Sequence, residues 1–294
     1  MLKVATHNGA FHADDVFAIA ALRMLGEPVE VIRTRDRELM DACDLRVDVG
    51  LGNDPRTGDF DHHQPGGAGA RPNGVPYASF GLVWRHYGPR ICAGDSEVAD
   101  KVDQKLTQIV DAHDNGQTLF RSSVEGVLPN TIDRVIGLFN PTWDTAPEEE
   151  DYRRGFEQAL IIAEQIIDRE RQMAAGQVRA ARRVRQAIRT ASDPRLIVLD
   201  QHMPWRDVIV HDAPQAQFVV FPRPDGWALQ AVPVKVGEFA NRIDLPAAWA
   251  GKTDDELAEI TGVKDAVFCH TGRFFAAARS REGILALARQ ALPR

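Results

Sequence analysis

Histidines and aspartates crowd the first 115 residues of this 294-residue chain: His7, His12 and Asp14 in one short stretch, Asp48 alone among valines, Asp61-His62-His63 consecutive, and Asp111-Ala112-His113-Asp114 further on. Imidazoles and carboxylates together are the ligand types that hold divalent ions. Two such ions about 3.5–4 Å apart clamp the attacking and leaving oxygens of a phosphoryl transfer. Singly, an aspartate at a helix start reads as a cap and a histidine as a satisfied core residue; the accumulation is what points to a metal site. The chain has no His-Glu-x-x-His helix, so a zinc-peptidase reading falls away, and its glycine-rich stretch Pro65–Pro76 lacks the Gly-Lys-Ser/Thr ending of a nucleotide cradle.

Positioning these groups in one crevice requires strands that end where they begin. Leu2–Thr6, Val29–Arg33 and Leu45–Val49 read as strands, Gly58–Phe60 as a short one, and Asp14–Leu25 as an amphipathic helix. His7, Arg33 with Arg35, Asp48, and Asp61-His62-His63 then all follow strand ends, where ligands bind in an α/β sheet. Helices are expected at Tyr77–His86 and Ser96–Asn115; on the latter Asp111 and Asp114 share a face, and either would serve as the ligand. Pro65–Pro76 is read as a surface loop or as a lid, with Arg71 and Asn73 the residues that would give a lid its contacts. A long helix follows over Glu148–Thr190, opening on an acidic run that suits the positive end of the helix dipole. Beyond Asp193-Pro194, short strands (Leu196–Leu199, Gln217–Phe221, Trp227–Val232, Ala266–Cys269) and a closing helix, Arg281–Leu292, describe a smaller α+β domain. The expected fold class is α/β, with a metal-binding catalytic domain and helical connector over 1–190 and a substrate-binding domain over 191–294.

A net charge of −7 argues against a surface built to coat duplex nucleic acid and leaves small or single-stranded phosphate substrates open. The positive cluster is Arg169, Arg171, Arg179, Arg182, Arg183, Arg185 and Arg189 on the long helix, read either as a solvated face or as a phosphate track. The apolar faces of that helix are a candidate surface for a homodimer. Cys43, Cys92 and Cys269 lack disulfide or zinc-knuckle spacing, and the sequence has neither a secretory apolar segment nor a membrane span, so a cytoplasmic protein is expected.

Taken in order, Thr6-His7-Asn8-Gly9-Ala10-Phe11-His12-Ala13-Asp14-Asp15, Arg33-Thr34-Arg35-Asp36, Asp48-Val49-Gly50, Phe60-Asp61-His62-His63-Gln64, Val110 to Gly116, His202-Met203-Pro204-Trp205, Gly226-Trp227, Gln230 to Pro233 and Cys269-His270-Thr271-Gly272-Arg273-Phe274 resemble the melanocyte-proliferating-gene (Myg) family of the DHH phosphoesterase superfamily. The resemblance spans nearly the whole chain. It implies a DHH-type N-terminal domain and a manganese- or magnesium-dependent phosphodiesterase with two ions, of the class regarded in eukaryotic relatives as RNA exonucleases. By the same resemblance the metal ligands would be His7, His12, Asp14, Asp48, His62 and Asp114, with Asp48 the bridge. His63 would face the scissile phosphate and Asp61 would orient a ligand imidazole, with Asp15 and Asp111 in reserve. His12 stands where most DHH phosphoesterases have aspartate, which lowers the negative charge of the site. His270, Gly272 and Arg273 resemble the substrate-phosphate clamp of the C-terminal domain; His202 and Trp205 are further candidate substrate contacts, Trp205 as a stacking platform or, on composition alone, a core aromatic.

The expected reaction is in-line hydrolysis of a phosphodiester in short single-stranded RNA or DNA by water activated at the metals, with Arg273 and His63 neutralising growing charge. A small-molecule phosphatase or pyrophosphatase using the same metals is the alternative, and a non-catalytic metal- or nucleotide-binding protein the second.

Overall fold

The computed structural model describes residues 1–293. The chain divides into two compact units, Met1–Ala175 and Gly176–Arg294. The division falls inside one continuous helix, α7 (Glu149–Thr190), because residues near its C-terminal end, Ala180 and Val184, pack into the second unit's core.

In the first unit, β1 (Leu2–Thr6) lies between β2 (Val29–Arg33) and β3 (Leu45–Val47), parallel to both. The sheet continues through β5 (Asp59–Phe60), parallel to β3, to an antiparallel edge strand, β4 (Asn53–Asp54). The β1 and β2 bounds match the sequence reading; β3 stops two residues early because Asp48 turns out of the strand at a φ of 57°. Helix α1 (Ala13–Arg23) is buried from Ala13 to Leu22, and a helix apolar on nearly every side belongs inside a domain. It packs on α3 (Ser79–Ile91), where Phe17 meets Phe80 with ring centroids 5.4 Å apart.

The single helix expected at Ser96–Asn115 is interrupted. It runs as α4 (Ser96–Val102), a π-helical stretch Asp103–Thr107, and α5 (Gln108–Asp114). Such a turn inserts an extra residue into the helical ladder. Here Asp103, at its start, and Asp111, beyond it, both bond Arg71. Two short helices, α2 (Arg37–Asp41) and α6 (Ile132–Gly137), complete this unit's named helices before α7.

The second unit holds a sheet ordered β6 (Leu196–Val198), β7 (Phe218–Arg223), β8 (Gly226–Ala231), β10 (Phe275–Ala278) and β9 (Ala266–Cys269), antiparallel except for the β6–β7 pair. Alternation along β7 divides the core in two. Phe218 and Val220 pack with Leu257 of α9 (Asp254–Thr261) and Ile284 and Leu287 of α10 (Arg281–Ala291). Val219 and Phe221 pack with Val208 and Ile209 of α8 (Arg206–Asp212) and with Val184. β10, like the two-residue β4 of the first unit, is absent from the sequence reading: Phe-Ala-Ala-Ala has weak strand propensity, and its pairing on both sides supplies what local preference does not. Of the α7 arginines, Arg171 pairs with Asp168, Arg183 with Asp200 and Arg185 with Asp212, while Arg169 and Arg189 donate to Gln172 and Gln186. Among the described residues no helix is long and apolar enough to cross a membrane.

Candidate metal centre

Three strand ends and two helices build the site. His7 follows β1, Asp48 follows β3, and Asp61, His62 and His63 follow β5, all at carboxyl ends of parallel strands; α1 contributes Asp14 and Asp15 and α5 contributes Asp114. Asp48 occupies the centre. Its Oδ2 lies 3.4 Å from His7 Nε2, and its Oδ1 lies 3.3 Å from His62 Nε2, 3.5 Å from His63 Nδ1 and 3.1 Å from the Ser79 hydroxyl, which donates to it. Asp48 holds the left-handed backbone conformation, which aspartate tolerates better than most residues.

Around this centre the same atoms recur. His62 Nε2 is 3.2 Å from Asp114 Oδ2, and His7 Nε2 is 3.3 Å from Asp15 Oδ2. Three sets of ligand atoms each gather within 4.8 Å: His7, His12 and Asp48; Asp48, His62 and His63; and Asp14, His62 and Asp114. Asp48 belongs to two of these sets and His62 to two. The six residues implied as ligands by the sequence resemblance are thus brought to one place. Of the two helical aspartates it is Asp114 that faces His62; Asp111 points to Arg71.

The electrostatics suit a cation. His7 Nε2, Asp15 Oδ2 and His62 Nε2 are buried without a hydrogen-bond partner, although each faces a group of the opposite type at 3.2–3.4 Å. His7 Nδ1 lies 3.2 Å from the Asn8 carbonyl; with one proton directed there, Nε2 faces the two carboxylates, which favour a second proton on it and would leave its lone pair free for a metal once that proton is displaced. Burial works against a charged His62, but the Asp114 and Asp48 carboxylates outweigh it and push the pKa up to about 11. Burial likewise opposes ionisation of Asp48, yet His62 and His7 hold its carboxyl well below the usual range. Asp15 is pushed up to about 7 by burial, against the pull of His7, and Asp14 well above its ordinary value by burial and then by Asp48, Asp114 and Asp111. Without a metal the site therefore keeps protons on imidazole between its carboxylates. A divalent ion that displaced them would satisfy the stranded atoms and relieve the repulsion among Asp14, Asp48 and Asp114. The donor set fits such an ion.

Asp14 also anchors a helix. Its carboxylate accepts from the backbone N–H of Ser79 (2.9 Å) and Phe80 (2.6 Å), and Asp111 accepts from Gly81 N–H (2.9 Å), so the first turn of α3, whose N-cap Ala78 has no capping side chain, is held by acids from α1 and α5. A Cβ on Gly81 would sit 1.8 Å from Asp111 Oδ2, which fixes that position as glycine. Ser79 and Gly81 were not singled out from the sequence; a glycine early in a helix is the signal that marks such close approach.

The remaining candidates divide. Asp61 accepts from the Leu51 and His63 backbone N–H groups (2.7 and 3.1 Å) and meets His63 Nδ1 at 2.8 Å; the His63 side chain is about half exposed on the wall of the cavity. Asp61 therefore orients His63 rather than a buried imidazole. Arg33 is ion-paired with Glu149 and donates to the Gly9 carbonyl, its guanidinium 4.8 Å from the Phe156 ring centre, so it braces the loop that carries His7 and His12. Arg35 bonds Asn8 at the cavity wall. Arg71 corrects the lid reading: it is buried, with its guanidinium committed to Asp103 and Asp111, because two acids in the fold need its charge. Asn73 bonds Gln108.

In the second unit, His270 Nδ1 accepts from Gly272 N–H (2.9 Å), and Arg273, at a φ of 56°, pairs with Asp244 (2.8 Å). His202 lies 5.0 Å from the Phe221 ring. Trp205 is 3% exposed inside the core formed by Val184, Ile209 and Phe221, so burial makes it a core aromatic and not an open stacking platform.

A family model, MYG1_exonuc, described as an uncharacterised protein family (UPF0160), matches residues 3–292. The chain is 31% identical to the MYG1 exonuclease of Homo sapiens, over 99% of this chain and 85% of that protein. It is 29% identical to a MYG1 protein of Schizosaccharomyces pombe over 99% and 98% of the two chains, and 28% identical to the MYG1 protein of Dictyostelium discoideum over 98% and 95%.

Proposed function

The chain belongs to the MYG1_exonuc family, and on that premise we propose that it is a metal-dependent phosphodiesterase acting as an exonuclease on short single-stranded RNA or DNA. The observation that carries this reading is the set of stranded buried atoms, His7 Nε2, Asp15 Oδ2 and His62 Nε2, around the Asp48 carboxylate. His7, His12, Asp14, Asp48, His62 and Asp114 would hold two ions sharing Asp48. Manganese, with magnesium the alternative, is the ion that the resemblance to the family implies, and a mixed imidazole–carboxylate set can hold such a divalent ion. When bound, such ions lower the pKa of water and neutralise charge on a phosphoryl group.

The protein's own groups do the rest. With His63 Nδ1–H donated to Asp61, His63 Nε2 is the atom that carries or releases a proton beside the phosphate. Burial of Asp48 and His7 lowers the local dielectric and strengthens each electrostatic contact they make. Arg273, with His270 and the Gly272 turn, is assigned the role of binding a substrate phosphate through its guanidinium fork.

The test uses protein stripped of metal and reloaded with manganese, given a labelled short single-stranded RNA, a DNA of the same sequence and a dinucleotide, with Asp48→Asn as control. Stepwise shortening that is lost in Asp48→Asn is expected. Hydrolysis of phosphomonoesters alone would replace this reading with a small-molecule phosphatase.

A further inference from the structure

Resting on the nuclease reading and extending it, we propose that Arg35, with Arg37 at the rim, forms a subsite for the phosphate next to the scissile one, so that the preferred substrate is an oligonucleotide and not an isolated phosphomonoester. A single cavity of about 1330 Å³ is lined both by His7, Asp48 and His62 and by Arg35, Arg37 and Arg46. That exceeds the roughly 300–1,000 Å³ typical of a pocket for one small ligand.

The arginines of this region differ in what they have left to offer. Arg46 is taken up by Asp59 and by the Cys43 and Thr57 carbonyls, and Arg33 is matched by Glu149. Arg35 is different: among the described residues no carboxylate lies within ion-pair distance of its guanidinium. Its Nη1 donates to the Asn8 carbonyl at 2.5 Å and to Asn8 Oδ1 at 3.0 Å, while no bond engages Nε or Nη2. The same Asn8 carbonyl lies 3.2 Å from His7 Nδ1. One peptide oxygen therefore ties the guanidinium to the His7 imidazole, holding a positive charge without a carboxylate partner on the wall of the cavity that His7, Asp48 and His62 also line. Arg37 is 89% exposed and only loosely paired, its Nε 3.7 Å from Asp41 Oδ2.

A guanidinium fork with unused donors binds two oxygens of one phosphate. A phosphomonoester seated at the metals has no second phosphate for Arg35; every internal nucleotide of a polymer does. Arg35 thus reads chain length.

The experiment compares binding of adenosine 5′-monophosphate and adenosine 3′,5′-bisphosphate to the manganese-loaded full chain by calorimetry. It covers the wild type, Arg35→Ala, Arg35→Lys and Arg37→Ala, with oligonucleotide cleavage followed in the same preparations. The bisphosphate is expected to bind about tenfold tighter than the monophosphate in the wild type, the scale of one charged hydrogen-bonded contact. Arg35→Ala brings the ratio close to one with monophosphate affinity held within about twofold, Arg35→Lys keeps part of the preference, and Arg37→Ala lowers it by about half. The slope of log affinity against log salt for an oligonucleotide falls by about 0.7 for each arginine removed. Equal affinity for the two ligands in the wild type overturns the subsite, as does a ratio unchanged in both alanine variants. Loss of monophosphate and manganese binding in Arg35→Ala, with Arg37→Ala unaffected, also overturns it, because Arg35 would then only support His7. Bisphosphate preference without cleavage of any oligonucleotide sinks the nuclease reading and leaves the subsite; cleavage without that preference sinks the subsite alone.

Discussion

Two clusters of acids built around buried aspartates, Asp111 in one and Asp14, Asp15 and Asp48 in the other, lie in the first unit, and they resolve their charge in opposite ways. In one, Asp103 and Asp111 close on Arg71 at 2.6–2.9 Å. In the other, Asp14, Asp15, Asp48 and Asp114 surround His7 and His62, and three buried atoms lack a hydrogen-bond partner. Both clusters anchor the first turn of α3, through Asp111 in one case and Asp14 in the other. A guanidinium is a permanent cation that the fold supplies for itself, so the Arg71 cluster is complete when the chain folds. An imidazole supplies its charge only while protonated, so the Asp48 cluster, on the proposed reading, would exchange a proton for a metal ion. Buried acids alone do not mark a site; what neutralises them does.

The contrast can be broken at either cluster, and the largest effect is expected at Asp48. Asp48→Asn should lower metal-dependent turnover by at least about 10³-fold, the scale of losing a group that acts on the reacting centre, while the metal-free protein melts within a few degrees of wild type. A stability loss as large as the activity loss, measured by thermal melting beside the kinetics, would make Asp48 a structural residue. Arg71→Met should do the reverse. Removing one member of a buried ion pair destabilises by about 3–5 kcal/mol, read from urea unfolding, and the protein that remains folded should still gain stability from manganese. If Arg71→Met leaves unfolding unchanged but abolishes activity, the two clusters have been assigned the wrong way round.

A smaller effect sharpens the comparison through pH. His62, held protonated up to about 11 by Asp114 and Asp48 against burial, must lose its proton before its Nε2 can bind metal. Binding therefore releases protons, and manganese affinity should rise with pH, by up to about tenfold per unit for each proton displaced, between pH 6 and 9. Calorimetry in buffers of different ionisation enthalpy measures that release. Affinity that is flat or falls with pH would show that the imidazoles are already neutral or are not ligands. The Arg71 cluster has no comparable exchange, so the stability it confers should not depend on metal at any pH.

Much of this was legible in the chain because it is local. The β1 and β2 bounds follow from short β-branched runs, α1 from its apolar residues, and His7, Asp48 and His62 from their places just after strands. The interruption of the Ser96–Asp114 segment was not legible, because a π-helical turn has no residue pattern of its own and shows itself only in the backbone ladder. Nor was the fate of Trp205, whose neighbours Val184 and Phe221 come from distant positions.

Residue types and short spacings by themselves determined that imidazoles and carboxylates would stand at the ends of parallel strands, since strand periodicity acts over a few residues and leaves the polar groups where each strand stops. Which of those acids would face histidine and which would face arginine was decided only by the tertiary structure. Arg71 reaches Asp103 and Asp111 across 32 and 40 residues, and Asp14 reaches Ser79 across 65. Contacts at that separation depend on how whole helices pack around α1, because the free energy that closes such long loops comes from burying the core and not from the polar pairs it brings together.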